Sequence, residues 1–186
     1  MEAELVLAAE LVLYRERPIA GRYDLAHLQA VHRHLFAEIY DWAGELRTVD
    51  IAKGQTMFAL PQHVEREAQR VFGELAAKQY LQGLYRQGFA TEAGRLLGDL
   101  NALHPFRDGN GRTQRAFLQL LARDGGWQLA WARVDPDDNA MRSAVAMADR
   151  DALVPLLEAI LTPIGQALPP ESFVLPHDRA RGAGHD

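Results

Sequence analysis

Residues 104–115 have the sequence HPFRDGNGRTQR and separate two segments with helical periodicity. Before them, apolar residues recur at three- and four-residue spacing over 93–103, and Pro105 must end that helix because proline disfavours helical backbone in the residue before it. After them, a second apolar helix is predicted to begin near Asn110 and to stop at Gly125, since glycine commonly follows the last helical turn. The sequence therefore predicts two helices joined by a tight, glycine-containing loop.

This loop has the composition of an anion site. A helix N-terminus leaves four backbone N–H groups without an intrahelical partner, at the positive end of the helix dipole. Gly109 and Gly111 remove the side chains that would keep a phosphate away from those groups. Arg112 and Arg115 are three residues apart and project from roughly the same helix face, where two guanidinium groups can hold a polyphosphate.

Asp108 and His104 add a carboxylate and an imidazole to the same loop. Magnesium is commonly bound by few carboxylates together with substrate phosphates, and Asp108 fits that use. His104 can remove a proton from a hydroxyl near neutral pH. Each residue also has an ordinary structural alternative, because Asp108 can cap the helix and His104 can be a hydrogen-bonded helix-end histidine. The combination of these groups within twelve residues favours the chemical interpretation.

The rest of the chain is predominantly helical by pattern. We expect a first helix over 3–16 and a second helix whose N-cap is Asp24. We also expect a helix from Pro61, one capped by Thr91, and two more over 136–148 and 151–161. The predicted fold class is all-α with one small β-hairpin.

The hairpin is predicted over residues 46–60. Leu46, Val49 and Ile51 precede a polar glycine turn, and a second apolar group follows it. A hairpin this short is not stable alone, so it must lean on the helices.

Composition limits the class of protein. The chain has 186 residues, 48% of them apolar, no cysteine and a formal net charge of −5. One domain over 1–167 and a flexible tail or linker over 168–186 are expected. The acidic balance argues against direct nucleic-acid binding, and no apolar run approaches the ~20 residues that cross a bilayer. The missing cysteines and secretory signal favour the cytoplasm, or delivery into another cell if the chain is part of a longer effector.

Residues 104–115 resemble the signature of the Fic family, His-Pro-Phe-x-[Asp/Glu]-Gly-Asn-Gly-Arg-x-x-Arg, and match it at every fixed position. Residues 24–60, including 40–44 and 49–51, are similar to the helix and flap that precede the signature in bacterial Fic toxins. The resemblance covers roughly residues 20–160. It implies a protein adenylyltransferase, which transfers AMP from ATP to a Ser, Thr or Tyr hydroxyl of a target protein and releases pyrophosphate.

The resemblance also implies the role of each signature residue. His104 is the expected general base, and Asp108 the residue that holds Mg²⁺. Family members that phosphorylate their targets carry lysine at the place of Gly111, so glycine there favours AMP transfer.

The nucleotide contacts implied by the resemblance come from the start of the second helix. Gly109, Asn110 and Gly111 are expected to form an anion hole through backbone N–H groups, with the Asn110 side chain adding a contact. Arg112 is expected on the β-phosphate side and Arg115 at the γ-phosphate.

Partners follow from the same resemblance. The flap is expected to pair with an extended target segment, with Lys53, Gly54, Met57 and Phe58 as docking residues. Met57 and Phe58 can equally anchor the hairpin to the core. Type II topoisomerases are the expected targets by analogy with toxins of this class.

Many Fic proteins carry an inhibitory motif, [Ser/Thr]-x-x-x-Glu-[Gly/Asn], whose glutamate pairs with the second signature arginine. No Ser or Thr of this chain is followed four residues later by Glu. We therefore expect a small antitoxin that supplies a glutamate to Arg115. Two alternatives stay open at this point: a Fic-fold transferase that uses another nucleotide donor, and a catalytically silent nucleotide-binding module.

Overall fold

The structure is a computed structural model that describes residues 2–16, 19–53 and 56–166. The expected tail over 168–186 and the expected domain boundary before it lie outside these residues, as does Gly54.

Helices make up most of the described chain. The α-helices are α1 (Glu2–Glu16), α2 (Leu25–Phe36), α3 (Val64–Ala77), α4 (Arg86–Leu103), α5 (Asn110–Asp124), α6 (Pro136–Val145) and α7 (Val154–Ile160). Short 3₁₀ turns lie at Pro61–His63, Gln79–Leu81 and Trp131–Arg133. Among the described residues, no helix combines the length and the apolar character that a bilayer span requires.

The core is arranged around α4, which packs against α3, α5 and α7. Helix α2 packs against both α5 and α1, and α1 also contacts α5 through the ion pair of Glu2 with Arg112. Phe36 of α2, Phe89 of α4 and Phe117 of α5 are fully buried in one continuous apolar cluster. The loop between α4 and α5 is therefore attached to two helices that the core holds rigidly.

The predicted helix starts are partly confirmed. Asp24 is the N-cap of α2, and its Oδ1 accepts a hydrogen bond from the His27 N–H at 2.8 Å. The prediction for Thr91 was wrong, because α4 begins at Arg86 and Thr91 lies inside it. The Thr91 hydroxyl donates to the carbonyl of Gln87 at 2.9 Å, a bond compatible with a helix interior.

The hairpin is shorter than the pattern predicted. Strand β1 (Ala52–Lys53) pairs antiparallel with β2 (Thr56–Met57), and the arms that precede and follow them are irregular. We call residues 46–60 the flap. A second sheet was not predicted: β3 (Trp127–Leu129) pairs antiparallel with β4 (Leu161–Pro163), in register Gln128 with Thr162.

Candidate active site

The signature loop begins where α4 ends. His104 is the C-cap of α4 and adopts left-handed backbone, with φ 43° and ψ 62°. Its N–H still donates to the Leu100 carbonyl at 3.0 Å, while Pro105 turns the chain away. This conformation reverses the chain within a few residues, so that α5 can start at Asn110.

The Asn110 side chain closes the loop. Its Oδ1 accepts a hydrogen bond from the Phe106 N–H at 3.0 Å, and its Nδ2 donates to the Phe106 carbonyl at 2.8 Å. Asn110 is only 3% exposed, so both bonds are shielded from water. The sequence suggested that this side chain contacts the nucleotide. In the structure, Oδ1 and Nδ2 each form one hydrogen bond with Phe106, and the backbone N–H of Asn110 lies in the first turn of α5.

The two glycines of the loop are required for different reasons. Gly109 has φ 76°, and a Cβ at this position would lie 2.5 Å from Cε2 of Phe36. Gly111 has ordinary helical backbone, and its Cβ would meet only Nη1 of Arg115 at 3.7 Å. Gly109 therefore permits the fold of the loop, whereas Gly111 keeps the first turn of α5 bare beside Arg115.

His32 of α2 forms a hydrogen bond to the loop, a role that sequence reasoning missed. Its Nδ1 accepts a hydrogen bond from the Gly44 N–H at 2.8 Å, so Nε2 carries the proton that it donates to the Asp108 carbonyl at 3.0 Å. The ring is fully buried and stacks on Phe106 with centroids 3.9 Å apart. Burial lowers the pKa of His32 to about 4, and His32 is therefore neutral at physiological pH.

The Asp108 carboxylate is held at the exposed surface of the loop. Its Oδ1 accepts from the Gly109 N–H at 2.6 Å, and its Oδ2 accepts from the Tyr40 hydroxyl at 3.2 Å. Within the described residues, no cluster of three or more metal-binding side chains occurs. A single oriented, solvent-facing carboxylate next to an anion site fits magnesium, which takes few protein ligands and completes its shell with phosphates and water.

The two signature arginines lie in different surroundings. Arg112 places its guanidinium 4.6 Å from the centre of the Phe36 ring and forms an ion pair of 3.0 Å with Glu2. Arg115 lies deeper, and burial lowers its pKa from the ordinary range, although an arginine remains charged. A desolvated guanidinium interacts strongly with an anion that reaches it.

Glu10 of α1 is an acidic side chain that interacts electrostatically with both arginines. Its side chain is 9% exposed, and burial raises its pKa against the opposing attraction of Arg115 and Arg112. Sequence reasoning missed this carboxyl, because the inhibitory motif is absent and α1 is distant in sequence from α5. The helix pattern alone does not reveal which turn of α1 faces α5.

The flap packs against the His104 ring. Phe58 is buried and stacks on the His104 ring, with centroids 3.8 Å apart and planes at 14°. The structure thus places Phe58 against the imidazole. Gly54 and the side chains of Lys53 and Met57 lie outside the part of the chain that is described.

These features define the class of protein, and comparison with known proteins agrees. A family model described as the Fic/DOC family matches residues 22–122, more than half of the chain. The chain belongs to the Fic/DOC family.

Known relatives share this region. The chain is 45% identical over 117 residues to protein adenylyltransferase VbhT of Bartonella schoenbuchensis, covering 63% of this chain and 24% of VbhT. It is 44% identical over 123 residues to "Probable protein adenylyltransferase y4lH" of Sinorhizobium fredii, covering 66% of this chain and 64% of the relative. The chain thus spans about a quarter of the first relative and just under two thirds of the second.

The fold is also that of a solved relative. The BepC protein of Bartonella tribocorum, a VirB-translocated effector crystallised with bound AMPPNP, superposes with a TM-score of 0.78 at 25% identity. The match covers 87% of this chain and 85% of that one.

We predict opposite consequences for alanine at the two loop glycines. Gly109→Ala should lower the free energy of unfolding by about 2 kcal/mol or more, because it combines left-handed backbone with a clash against Phe36. Gly111→Ala should leave stability unchanged or raise it by up to ~1 kcal/mol, since alanine favours helix. Urea unfolding followed by circular dichroism measures both, and equal stabilities of the two variants would contradict the account.

We predict that His32 makes stability depend on pH. The unfolded chain takes up a proton near pH 6.5, but the folded chain resists protonation until about pH 4, so stability falls as the pH is lowered through this window. The loss amounts to about 3 kcal/mol at 1.36 kcal/mol per pKa unit. His32→Gln keeps an N–H donor and does not titrate. The free energy of unfolding, measured by urea at pH 7 and pH 4.5, should therefore fall less in His32→Gln than in the wild type, and parallel losses would refute the assignment.

Proposed function

We propose that this chain is a protein adenylyltransferase that transfers AMP from ATP to a Ser, Thr or Tyr hydroxyl of a target protein. The observation that carries the proposal is the start of α5, where the bare Gly111 lies beside Arg115 and directly follows a loop that contains His104 and Asp108. Support comes from the relatives named protein adenylyltransferase and from the relative that binds AMPPNP.

The phosphates of ATP are bound by groups that are already in place. The backbone N–H groups of Asn110 and Gly111 lie in the first turn of α5 and would provide an anion hole, while the Gly109 N–H beside them donates to the Asp108 carboxylate. Arg115 supplies a partly buried positive charge for the far phosphate, and Arg112 supplies a second one. Because these donors are fixed before the nucleotide binds, they stabilise the charge that develops on the leaving pyrophosphate without reorganising, typically by ~2.7–4 kcal/mol per donor.

His104 acts on the incoming hydroxyl. Its imidazole takes the hydroxyl proton while the hydroxyl oxygen forms a bond to the α-phosphorus. The bond from that phosphorus to the oxygen bridging to the β-phosphate breaks, and pyrophosphate leaves with the electron pair. Asp108 is the residue that would hold Mg²⁺, which when bound neutralises charge on the phosphates.

Gly111 supports AMP transfer over phosphate transfer. The space beside its Cα opens toward Nη1 of Arg115 at 3.7 Å from a Cβ built there. Any longer side chain at this position would start beside the cation that we assign to the terminal phosphate. The bare position therefore leaves that end of the triphosphate-binding surface open.

The target and the biological setting extend the same proposal. The flap edge would pair with an extended segment of the target, with Lys53, Gly54 and Met57 as docking residues and with Phe58 stacked on His104. The protein would act as a toxin on type II topoisomerases, restrained by an antitoxin that supplies a glutamate to Arg115. It would act in the cytoplasm, or in a recipient cell if the chain is part of a longer effector such as the translocated relatives.

Transfer of label from ATP tests the reaction. Purified chain, Mg²⁺ and a bacterial lysate are incubated with ATP labelled at either the α- or the γ-phosphorus. We expect a labelled protein band from the α-label only, and a 10²- to 10⁴-fold loss with His104→Ala, the usual contribution of a general base. His63→Ala, in the 3₁₀ turn before α3, is the matched control and should retain labelling.

Two outcomes would overturn the proposal. Label from the γ-phosphorus would assign phosphate transfer, and a wild-type chain that binds AMPPNP without labelling any protein would indicate a silent binding module. Expression of the wild type but not of His104→Ala should arrest bacterial growth if the toxin assignment holds.

A further inference from the structure

Arg47 is a buried arginine in the first arm of the flap. It is 2% exposed, and its guanidinium donates to three backbone carbonyls rather than to a carboxylate. Nε donates to the His104 carbonyl at 2.7 Å, Nη1 to the Val49 carbonyl at 2.9 Å, and Nη2 to the Ala59 carbonyl. Burial lowers its pKa, with Asp50 acting in the opposite direction.

The three carbonyls belong to different parts of the site. Val49 precedes β1, Ala59 follows β2, and His104 is the residue that we assign as the base. The Arg47 N–H also donates to the Pro105 carbonyl at 2.9 Å, and the Ala59 N–H donates to the Ala102 carbonyl at 3.1 Å. One side chain therefore connects both arms of the flap to the residue at the end of α4.

His104 needs such support because of its backbone. A non-glycine residue in left-handed conformation is strained, and it persists only when its surroundings determine it. The bonds from Arg47 to the carbonyls of His104 and Pro105 hold the two peptide groups that follow that strained Cα, and the bond from the His104 N–H to Leu100 holds the one before it. The bond from Arg47 to the Ala59 carbonyl keeps Phe58 stacked on the imidazole, because Phe58 directly precedes Ala59 in the chain.

We propose that Arg47 is a positioning residue for the transfer reaction: it fixes the backbone of His104 and ties the flap to it, and so sets where the imidazole meets the target hydroxyl. A planar guanidinium has donors spread widely enough to reach three carbonyls, whereas a lysine ammonium is a point charge. The inference rests on the proposed role of His104.

Arg47→Lys is the variant that tests it. We expect the initial labelling rate, expressed per AMPPNP-binding site, to fall about 100-fold, since a displacement of ~1 Å at a reacting group has such an effect. The affinity for AMPPNP should change less than about threefold, because Arg47 does not contact α5 in the set of bonds described above. Counting sites by AMPPNP titration removes any unfolded fraction from the comparison.

Arg86→Lys is the matched control. Arg86 also donates to backbone carbonyls, to Leu161 at 3.2 Å and to Glu158, but it lies at the opposite end of α4, about 25 Å along the helix at 1.5 Å per residue. This variant should lose stability without a change in labelling rate per site. Its comparison with Arg47→Lys separates a role in positioning from loss of an arginine as such.

The imidazole signals of His104 supply a readout that does not depend on activity. They are assigned in ¹H–¹⁵N spectra by their absence from His104→Ala. We expect them to move in Arg47→Lys, since the Phe58 ring no longer stacks in place, and to stay in Arg86→Lys. If the wild type labels no protein, the proposed function fails while these signals still decide the role of Arg47.

Three results would overturn the inference. The first is a wild-type labelling rate per site in Arg47→Lys. The second is unchanged His104 signals in that variant. The third is that Arg47→Lys loses both AMPPNP binding and labelling at a temperature at which it is still folded. That result would make Arg47 part of the general scaffold.

Discussion

The site depends on a pair of hydrogen bonds between one buried amide and one peptide unit. Asn110 binds both the N–H and the carbonyl of Phe106, and this closes the loop into a fixed turn at the start of α5. The turn places Gly109 against Phe36, where a side chain has no room, and brings the Asp108 carbonyl to His32. Losing either bond would leave a buried polar atom of Asn110 without a partner, which costs free energy. The loop therefore favours the one conformation that keeps both bonds, and in it the N-terminus of α5 stays open.

Much of this site was predictable because its groups are adjacent in sequence. The order His104, Asp108, Gly109 and the first turn of α5 determined the local chemistry, and the structure places them in one loop. The supporting groups were not predictable in this way. His32 and Arg47 reach the loop from 76 and 57 residues away, and a histidine or arginine on a helical or extended segment gives no signal of such a contact.

The fold shows the same division between local and long-range information. Asp24 capped α2 as predicted, because an N-cap bonds within its own first turn. Thr91 is of a residue type that commonly caps helices, but α4 begins five residues before it, at Arg86. Tertiary packing sets this boundary. Strands 127–129 and 161–163 were missed, since three-residue strands show no alternation and their pairing crosses two helices.

The central claim is that the Asn110 amide keeps the start of α5 in a shape that binds a triphosphate. Titration calorimetry of AMPPNP with Asn110→Ala tests this directly, because alanine retains the helix while it releases Phe106. Loss of two hydrogen bonds of about 1 kcal/mol each predicts an affinity at least about tenfold weaker, with the helical circular dichroism preserved. Wild-type affinity in that variant would contradict the account.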